Sequence, residues 1–143
     1  MYDSILVPTD GSAPAETAVE HAIDLAADQD ATVHALYVVD QTYPAVAKYD
    51  VVVEGMESEG EAALDAASAA GDRAGVPVER HLRRGVPHEV IVDAADDYGV
   101  DLVVMGTNGR TGLDRIVSTG SVTERVVRLS TVPVLAVGGA GEG

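Results

Sequence analysis

The sequence predicts an α/β protein: a single doubly wound parallel sheet of five strands, with helices on both faces. Five short apolar stretches of strand character alternate with stretches whose apolar residues recur at helical spacing. The connections are short, as in βαβ units with right-handed crossovers. A length of 143 residues suits one domain, residues 1–143, with a substantial core.

The five predicted strands are rich in valine, leucine and isoleucine. The first stops at a Pro-Thr-Asp-Gly turn, the third alternates apolar with polar residues, and the fifth contains Pro133, which marks a strand start or an edge. The strands are expected at residues 4–7, 31–39, 76–82, 101–105 and 131–137.

Four helices are predicted between the strands. Ser12 can cap the first, which ends at residues 28–30, and Pro14 suits its first turn. Ser121-x-x-Glu124 has the form of a capping box and starts the last helix. The second, third and fourth helices are expected at about 53–74, 87–98 and 122–129. Residues 40–52 are expected as a long connection, with a partly helical or a mobile segment as alternatives.

Composition excludes several classes of function. The formal net charge of −15 opposes binding to nucleic acid, whose backbone would be repelled. The absence of cysteine excludes disulfides, thiolate catalysis and cysteine zinc sites. No apolar run approaches the ~20 residues of a membrane span, and the first residues lack a signal-peptide pattern. We therefore expect a cytoplasmic protein that contacts neither nucleic acid nor membrane.

The acidic balance also suggests an environment. One lysine, Lys48, stands against eight arginines, and Asp, Glu and Ala are abundant. This resembles proteins of salt-loving organisms that keep molar salt inside the cell, where charge repulsion is screened. An acidic protein from an ordinary organism is the alternative.

A glycine-rich stretch follows the fourth strand. It contains Gly106, Gly109 and Gly112, and Gly120 precedes the predicted last helix. Exposed N–H groups beside a helix N-terminus suit a phosphate, although such turns also join strands to helices without binding anything. The spacing fits neither the dinucleotide fingerprint nor the P-loop, and no P-loop lysine is present.

Two turns that carry candidate ligand-binding groups follow the first and fourth strands. They lie at Pro8-Thr9-Asp10-Gly11 and at residues 106–112. Ligands of doubly wound sheets bind outside the carboxyl ends of strands, where the strand order reverses. If these strands are neighbours, both turns line one crevice.

Hydrolase motifs are absent. The sequence contains neither G-x-S-x-G nor H-E-x-x-H. Its four histidines, at positions 21, 34, 81 and 88, share no spacing, and we interpret them as surface or packing residues.

With these residues in hand, the chain resembles the universal stress protein family over nearly its whole length. The opening Ile-Leu-Val-Pro-Thr-Asp-Gly-Ser at residues 5–12 carries the resemblance together with four further segments, residues 36–40, 101–110, 120–127 and 132–137. The combination is specific, whereas each segment alone is weak.

The resemblance implies strand order 3-2-1-4-5 and a homodimer that pairs through the last strand. Relatives that bind nucleotide carry G-x-x-G, nine residues, and then G-S or G-T; the other branch lacks this motif and does not bind ATP. Here Gly106-x-x-Gly109 and Gly120-Ser121 match, with a spacer of ten residues instead of nine.

The resemblance also implies roles for individual residues toward an adenine nucleotide, ATP or ADP or AMP, with Mg²⁺ or Mn²⁺. The Asp10 carboxylate would lie near ribose hydroxyls or hold the metal, unless it serves only the turn. The Val38 backbone would bind the adenine edge, and Asn108 and Arg110 lie in the glycine loop, where Arg110 could equally be a solvated charge. The remaining contacts would come from Pro8, Thr9, Met105, Gly106, Gly109, Gly120, Ser121, Val122 and Thr123.

Three functions stay open at this point: a nucleotide-binding stress or regulatory protein, a slow ATPase, and a ligand-free module that merely dimerises. The glycine loop contains no convincing general base, so any turnover is expected to be weak. We favour the first function.

Overall fold

The structure is a computed structural model that describes residues 2–40, 49–107 and 120–138, without the side chains of residues 49–54, 56, 120 and 121. Nine elements alternate along it. The strands are β1 (Ser4–Pro8), β2 (Thr32–Asp40), β3 (Val78–Gly85), β4 (Leu102–Gly106) and β5 (Val134–Val137). The helices are α1 (Ala13–Gln29), α2 (Tyr49–Ala74), α3 (Pro87–Tyr98) and α4 (Gly120–Leu129).

All five strands form one parallel sheet in the order β3-β2-β1-β4-β5, which confirms the predicted fold class. The order reverses between β1 and β4. The ladder between these two strands contains only the pairs Ile5–Leu102 and Leu6–Val103, although both strands continue beyond it. A crevice for a ligand is expected at such a reversal.

Alternation along the strands divides the core into two faces. Val33, Ala35 and Val39 of β2 pack on the α1 and α2 side, whereas Leu36 packs on the α3 and α4 side. Both faces consist of valine, leucine, isoleucine and alanine apart from the ring of Tyr37 and the thioether of Met105, as a composition without Phe or Trp requires. Strands covered on both sides are expected to be almost continuously apolar, as β1 and β4 are.

The helix ends follow the predicted chemistry in most places. The Ser12 hydroxyl accepts from the Ala15 N–H at 3.4 Å and caps α1. Asp30 ends α1 and Gly99 ends α3, each in the left-handed conformation with φ near 60°.

Several boundaries differ from the predictions. Helix α2 begins at Tyr49 and not near residue 53, while residues 41–48 of the expected connection lie outside the described residues. Strand β3 runs on to Gly85 because its later residues pair with the end of β2. Helix α4 begins at Gly120, so Ser121 lies inside its first turn and not at the capping position that the sequence predicted. Strand β5 begins only after Pro133.

None of the described helices combines the length and the apolar character that crossing a bilayer demands.

Candidate functional site

The turn after β1 is held by a set of short-range hydrogen bonds. The Thr9 N–H donates to the Leu36 carbonyl at 2.8 Å, which ties the end of β1 to β2. The Thr9 hydroxyl accepts from the Gly11 N–H at 3.2 Å, and Asp10 Oδ1 accepts from the Ser12 N–H at 2.9 Å. Gly11 has φ +82°. The turn is therefore fixed against the start of α1, and Oδ1 of Asp10 serves the turn.

The end of β4 lies directly against the start of α1. A Cβ built on Gly106 would be 2.8 Å from the Pro14 carbonyl oxygen and 3.3 Å from the Ala15 nitrogen. Real Cβ atoms hardly ever come so close to backbone, so only glycine permits this approach. The end of β4 and the start of α1, far apart in the sequence, thus meet at one edge of the sheet.

Helix α4 is tied to the same point. The Thr123 hydroxyl, in a buried side chain of the first turns of α4, donates to the Gly106 carbonyl at 3.1 Å. The next residue, Thr107, donates its N–H to the Val137 carbonyl at 2.9 Å and extends the pairing with β5. Gly106 therefore lies between the N-terminal ends of α1 and α4. Helix N-termini carry partial positive charge, so their convergence suits an anion.

The end of β2 adds backbone groups to this edge. In a strand, the N–H and C=O of one residue both point to the same neighbouring strand, and those of the next residue point to the strand on the other side. Thr32 and Leu36 bond on the β1 side, to Asp3 and Thr9, and Val33 bonds on the β3 side, to Pro77. By this alternation the N–H and C=O of Val38 point to the β1 side, where β1 has already ended at Pro8. Such groups could bind the edge of a flat heterocycle.

The structure brings some of the predicted site residues together and leaves others undescribed. Pro8, Thr9, Asp10, Val38, Gly106 and Thr123 lie at the carboxyl edge, at the ends of β1, β2 and β4 and in the first turns of α4. Gly120 and Ser121 begin α4, but their side-chain surroundings lie outside the described residues. Asn108, Gly109 and Arg110 lie there entirely.

Two predicted contact residues turn their side chains away from the edge. The Met105 side chain is buried in the core cluster on the α3 and α4 side. The Val122 side chain packs partly against the same cluster. Only their backbone atoms can serve a ligand at the carboxyl edge.

A cavity of about 170 Å³ lies between α1 and α2 and reaches the edge at Thr9 and Gly11. Its other walls are mainly α2 alanines together with Glu16, Glu20 and Arg73. Two carboxylates against one guanidinium disfavour a phosphate there. The N-terminal end of α4, tied to Gly106, suits phosphate better.

A second group of polar residues was missed from the sequence. His34 and His81, interpreted as separate packing or surface residues, lie 3.0 Å apart, from Nδ1 of the first to Nε2 of the second. They belong to different strands, so no spacing in the sequence connects them. The available signal was Glu79-x-His81 on one strand, which puts two metal-ligand types on one face.

Comparison with known proteins agrees with this architecture. The sequence model of the Universal stress protein family matches residues 1–138. Universal stress protein MJ0531 of Methanocaldococcus jannaschii is 40% identical over 141 residues, which cover 96% of this chain and 82% of that protein.

Solved structures are similar over almost the same length. Universal stress protein UspA from Lactobacillus plantarum superposes with a TM-score of 0.80 at 31% identity, covering 95% of this chain and 97% of that one. A universal stress protein solved in complex with cAMP superposes with a TM-score of 0.74 at 29% identity, covering 95% and 97%. On the family match, the identity and the shared sheet order, the chain belongs to the universal stress protein family.

Proposed function

We propose that the protein binds an adenine nucleotide at the carboxyl edge of the sheet and acts as a regulatory component of a stress response. The observation that carries the proposal is the contact of Gly106 with the first turn of α1, because together with the Thr123–Gly106 hydrogen bond it brings the end of β4 and the first turns of α1 and α4 to one edge of the sheet. The similar universal stress protein solved with cAMP supports the choice of an adenine ligand.

Each part of the nucleotide has a chemical match at this edge. The Val38 backbone supplies a donor and an acceptor for adenine, and Thr9 and Asp10 supply polar groups for the ribose. Phosphates would lie against the N-terminal end of α4, with the backbone N–H groups of Gly120, Ser121 and Thr123 donating. Gly109, Asn108 and Arg110 would complete the phosphate contacts.

A divalent cation fits the same assignment. Mg²⁺ and Mn²⁺ prefer oxygen ligands, and they are bound beside nucleotides through a carboxylate and phosphate oxygens. Asp10 would supply that carboxylate. The cation would offset part of the repulsion between the triphosphate and a protein of net charge −15.

The experiment begins with the purified protein. After heat denaturation, the supernatant is analysed for nucleotides by chromatography and mass spectrometry, and the refolded or nucleotide-free protein is titrated calorimetrically with ATP, ADP, AMP and cAMP. We expect a bound adenine nucleotide. Gly109→Val and Gly120→Val should lose it, because an added side chain would fill the space beside the N–H groups.

Gly55→Val is the matched control, since a Cβ at exposed Gly55 meets nothing within 4 Å. It should retain nucleotide as the wild type does. Wild-type-like retention in both site variants, with folding verified by circular dichroism, would refute the site. Absence of binding in the whole nucleotide panel would favour the ligand-free dimerising module instead.

We further propose a cytoplasmic homodimer that pairs through β5. This strand is the last in the sheet order, and Leu135 on it is 39% exposed. Val127 and Leu129 on α4 are both more than half exposed. Large exposed apolar side chains beside a sheet edge are typical of an interface.

We also propose that the protein works at high salt. Its 24 acidic residues outnumber its 9 basic ones, so the excess negative charges repel one another at low ionic strength. Salt screens this repulsion, because the Debye length falls from about 10 Å at 0.1 M to about 3 Å at 1 M. The Tm should rise steeply as KCl is raised over this range. A Tm that does not change with KCl would contradict the proposal.

A further inference from the structure

Three side chains with metal-binding groups lie together on the α3 side of the sheet, away from the carboxyl edge. Glu79 and His81 are two residues apart on β3, so both point to the same face. His34 on β2 is directly in register with Glu79. The register of two neighbouring strands therefore assembles the group, which we name the His34–Glu79–His81 cluster.

The distances match those between the ligands of one metal ion. Nδ1 of His34 lies 3.0 Å from Nε2 of His81 and 3.8 Å from Oε1 of Glu79, and one ligand atom from each residue lies within 4.8 Å of the others. In a tetrahedral zinc site with bonds of about 2.0–2.1 Å, ligand atoms are about 3.3 Å apart. Small side-chain movements would bring all three to one ion.

The His34 ring is already oriented for such binding. Its Nε2 lies 3.1 Å from the Ser4 hydroxyl, so with Nε2 protonated and donating to Ser4, the lone pair of Nδ1 faces the cluster. Metal-binding histidines are commonly oriented by a hydrogen bond from the second ring nitrogen.

The His81 ring is held by stacking. Its centroid lies 4.0 Å from that of Tyr98, whose hydroxyl accepts from Arg83 Nε at 3.0 Å. The Arg83 guanidinium also pairs with Asp97 at 2.7 Å. A chain of contacts from α3 thus fixes the second imidazole, as a metal site requires.

Burial and charge suit a cation that enters from one side. His34 is 8% exposed, whereas the Glu79 side chain is 61% exposed, so the cluster opens to solvent past Glu79. Burial lowers the pKa of both imidazoles, against the opposing charge of Glu79.

We propose that the His34–Glu79–His81 cluster binds one Zn²⁺ ion, with water in the remaining position. Two imidazoles and one carboxylate are a common zinc ligand set, and they favour Zn²⁺ over the hard cation proposed beside the nucleotide. The ion would join β2 to the edge strand β3. The site is independent of the nucleotide, because none of its residues lies at the carboxyl edge.

The test uses the full-length protein, freed of metal by a chelator and of nucleotide by dialysis. ZnCl₂ is titrated calorimetrically, and Co²⁺ is used as a spectroscopic probe of tetrahedral coordination. We expect one ion per chain, a d–d absorption typical of tetrahedral Co²⁺, and a Tm that rises with Zn²⁺. Glu79→Gln and His81→Ala should each weaken binding, and the double variant should abolish it.

Ser4→Ala tests the orienting hydrogen bond, and we expect it to weaken Zn²⁺ binding about 10–100-fold while the tetrahedral Co²⁺ spectrum persists. His21→Ala, at an exposed position on α1, is the matched control and should bind as the wild type does. Equal Zn²⁺ affinity in the wild type and the double variant would overturn the proposal, and the cluster would then be a polar packing group only. Wild-type protein that binds no Zn²⁺ would overturn it equally.

Discussion

Single glycines decide how closely the elements of this protein approach one another, and Gly106 is the clearest case. Its Cα faces the backbone of Pro14 and not a flexible side chain. A side chain there could be accommodated only by moving α1 or β4. The residue thus has a packing role that is separate from any contact with a ligand.

We expect Gly106→Ala to destabilise the fold by about 1–3 kcal/mol, the cost of overpacking a tight contact. Gly55→Ala is the control of opposite sign. Gly55 lies exposed in α2, where an added Cβ would have nothing within 4 Å, and the change should stabilise the helix by about 0.5–1 kcal/mol. Urea unfolding monitored by circular dichroism measures both. Equal stability of Gly106→Ala and wild type would mean that α1 yields freely at this contact.

At the scale of the elements, the position of α4 depends on one side-chain hydrogen bond. Thr123 is buried, and its hydroxyl donates to the carbonyl at the end of β4. The bond fixes the N-terminal end of α4 beside Gly106. A helix without it would still pack through Val126 in the core, but with less control over where its first turn lies.

Thr123→Val keeps the shape of the side chain and removes the hydroxyl. We expect it to cost about 0.5–1.5 kcal/mol of stability and to weaken nucleotide binding, because the N–H groups of the first turn lose their fixed position. Thr123→Ser, which keeps the donor, should bind nucleotide more tightly than Thr123→Val does. Calorimetric titration compares the nucleotide affinities of the two variants and the wild type. Indistinguishable affinities would show that the position of α4 does not affect nucleotide binding.

The elements were predictable to different degrees, for physical reasons. Buried β1 and β4 were predicted within one residue because continuous apolar runs end in Pro or Gly turns. The start of α2 was missed because valines 51–53 favour strands locally, and only the surrounding helix overrides that preference. Ser121 was expected to cap α4, but the helix starts earlier.

The two proposed sites also differ in how far the sequence predicts them. The turn after β1 and the end of β4 could be predicted because proline and glycine mark them in the sequence and parallel topology brings strand ends together. The His34–Glu79–His81 cluster could not, since it depends on the register between β2 and β3. A shift of one residue in that register would separate His34 from both partners.

At the scale of the whole molecule, exposed apolar side chains near one end of the sheet support the proposed pairing with a second copy of the chain. Exposed Leu135, Val127 and Leu129 belong to consecutive elements at the β5 end. The opposite edge, β3, carries arginines that pair with acidic residues of α2 and α3. The two ends of the sheet are therefore chemically unlike, which favours pairing at one of them.

Leu135→Glu should convert the proposed dimer to a monomer, because it puts a charge in the middle of the proposed interface. Light scattering coupled to size-exclusion chromatography would record about half the wild-type mass. Ala69→Glu adds the same charge at an exposed position of α2 and should leave the mass unchanged. A Leu135→Glu protein that keeps the dimer mass would exclude β5 as the interface.

Strand β2 serves both proposed sites, and this limits how its length can change. His34 and Val38 lie four residues apart on it, about 13 Å along the strand. Inserting or deleting one residue between them would turn one of the two to the opposite face of the sheet and would direct its backbone groups to the other neighbouring strand. The two sites could then not both be retained. Natural variants of this chain should therefore differ in length before Thr32 or after Asp40, and hardly ever between them.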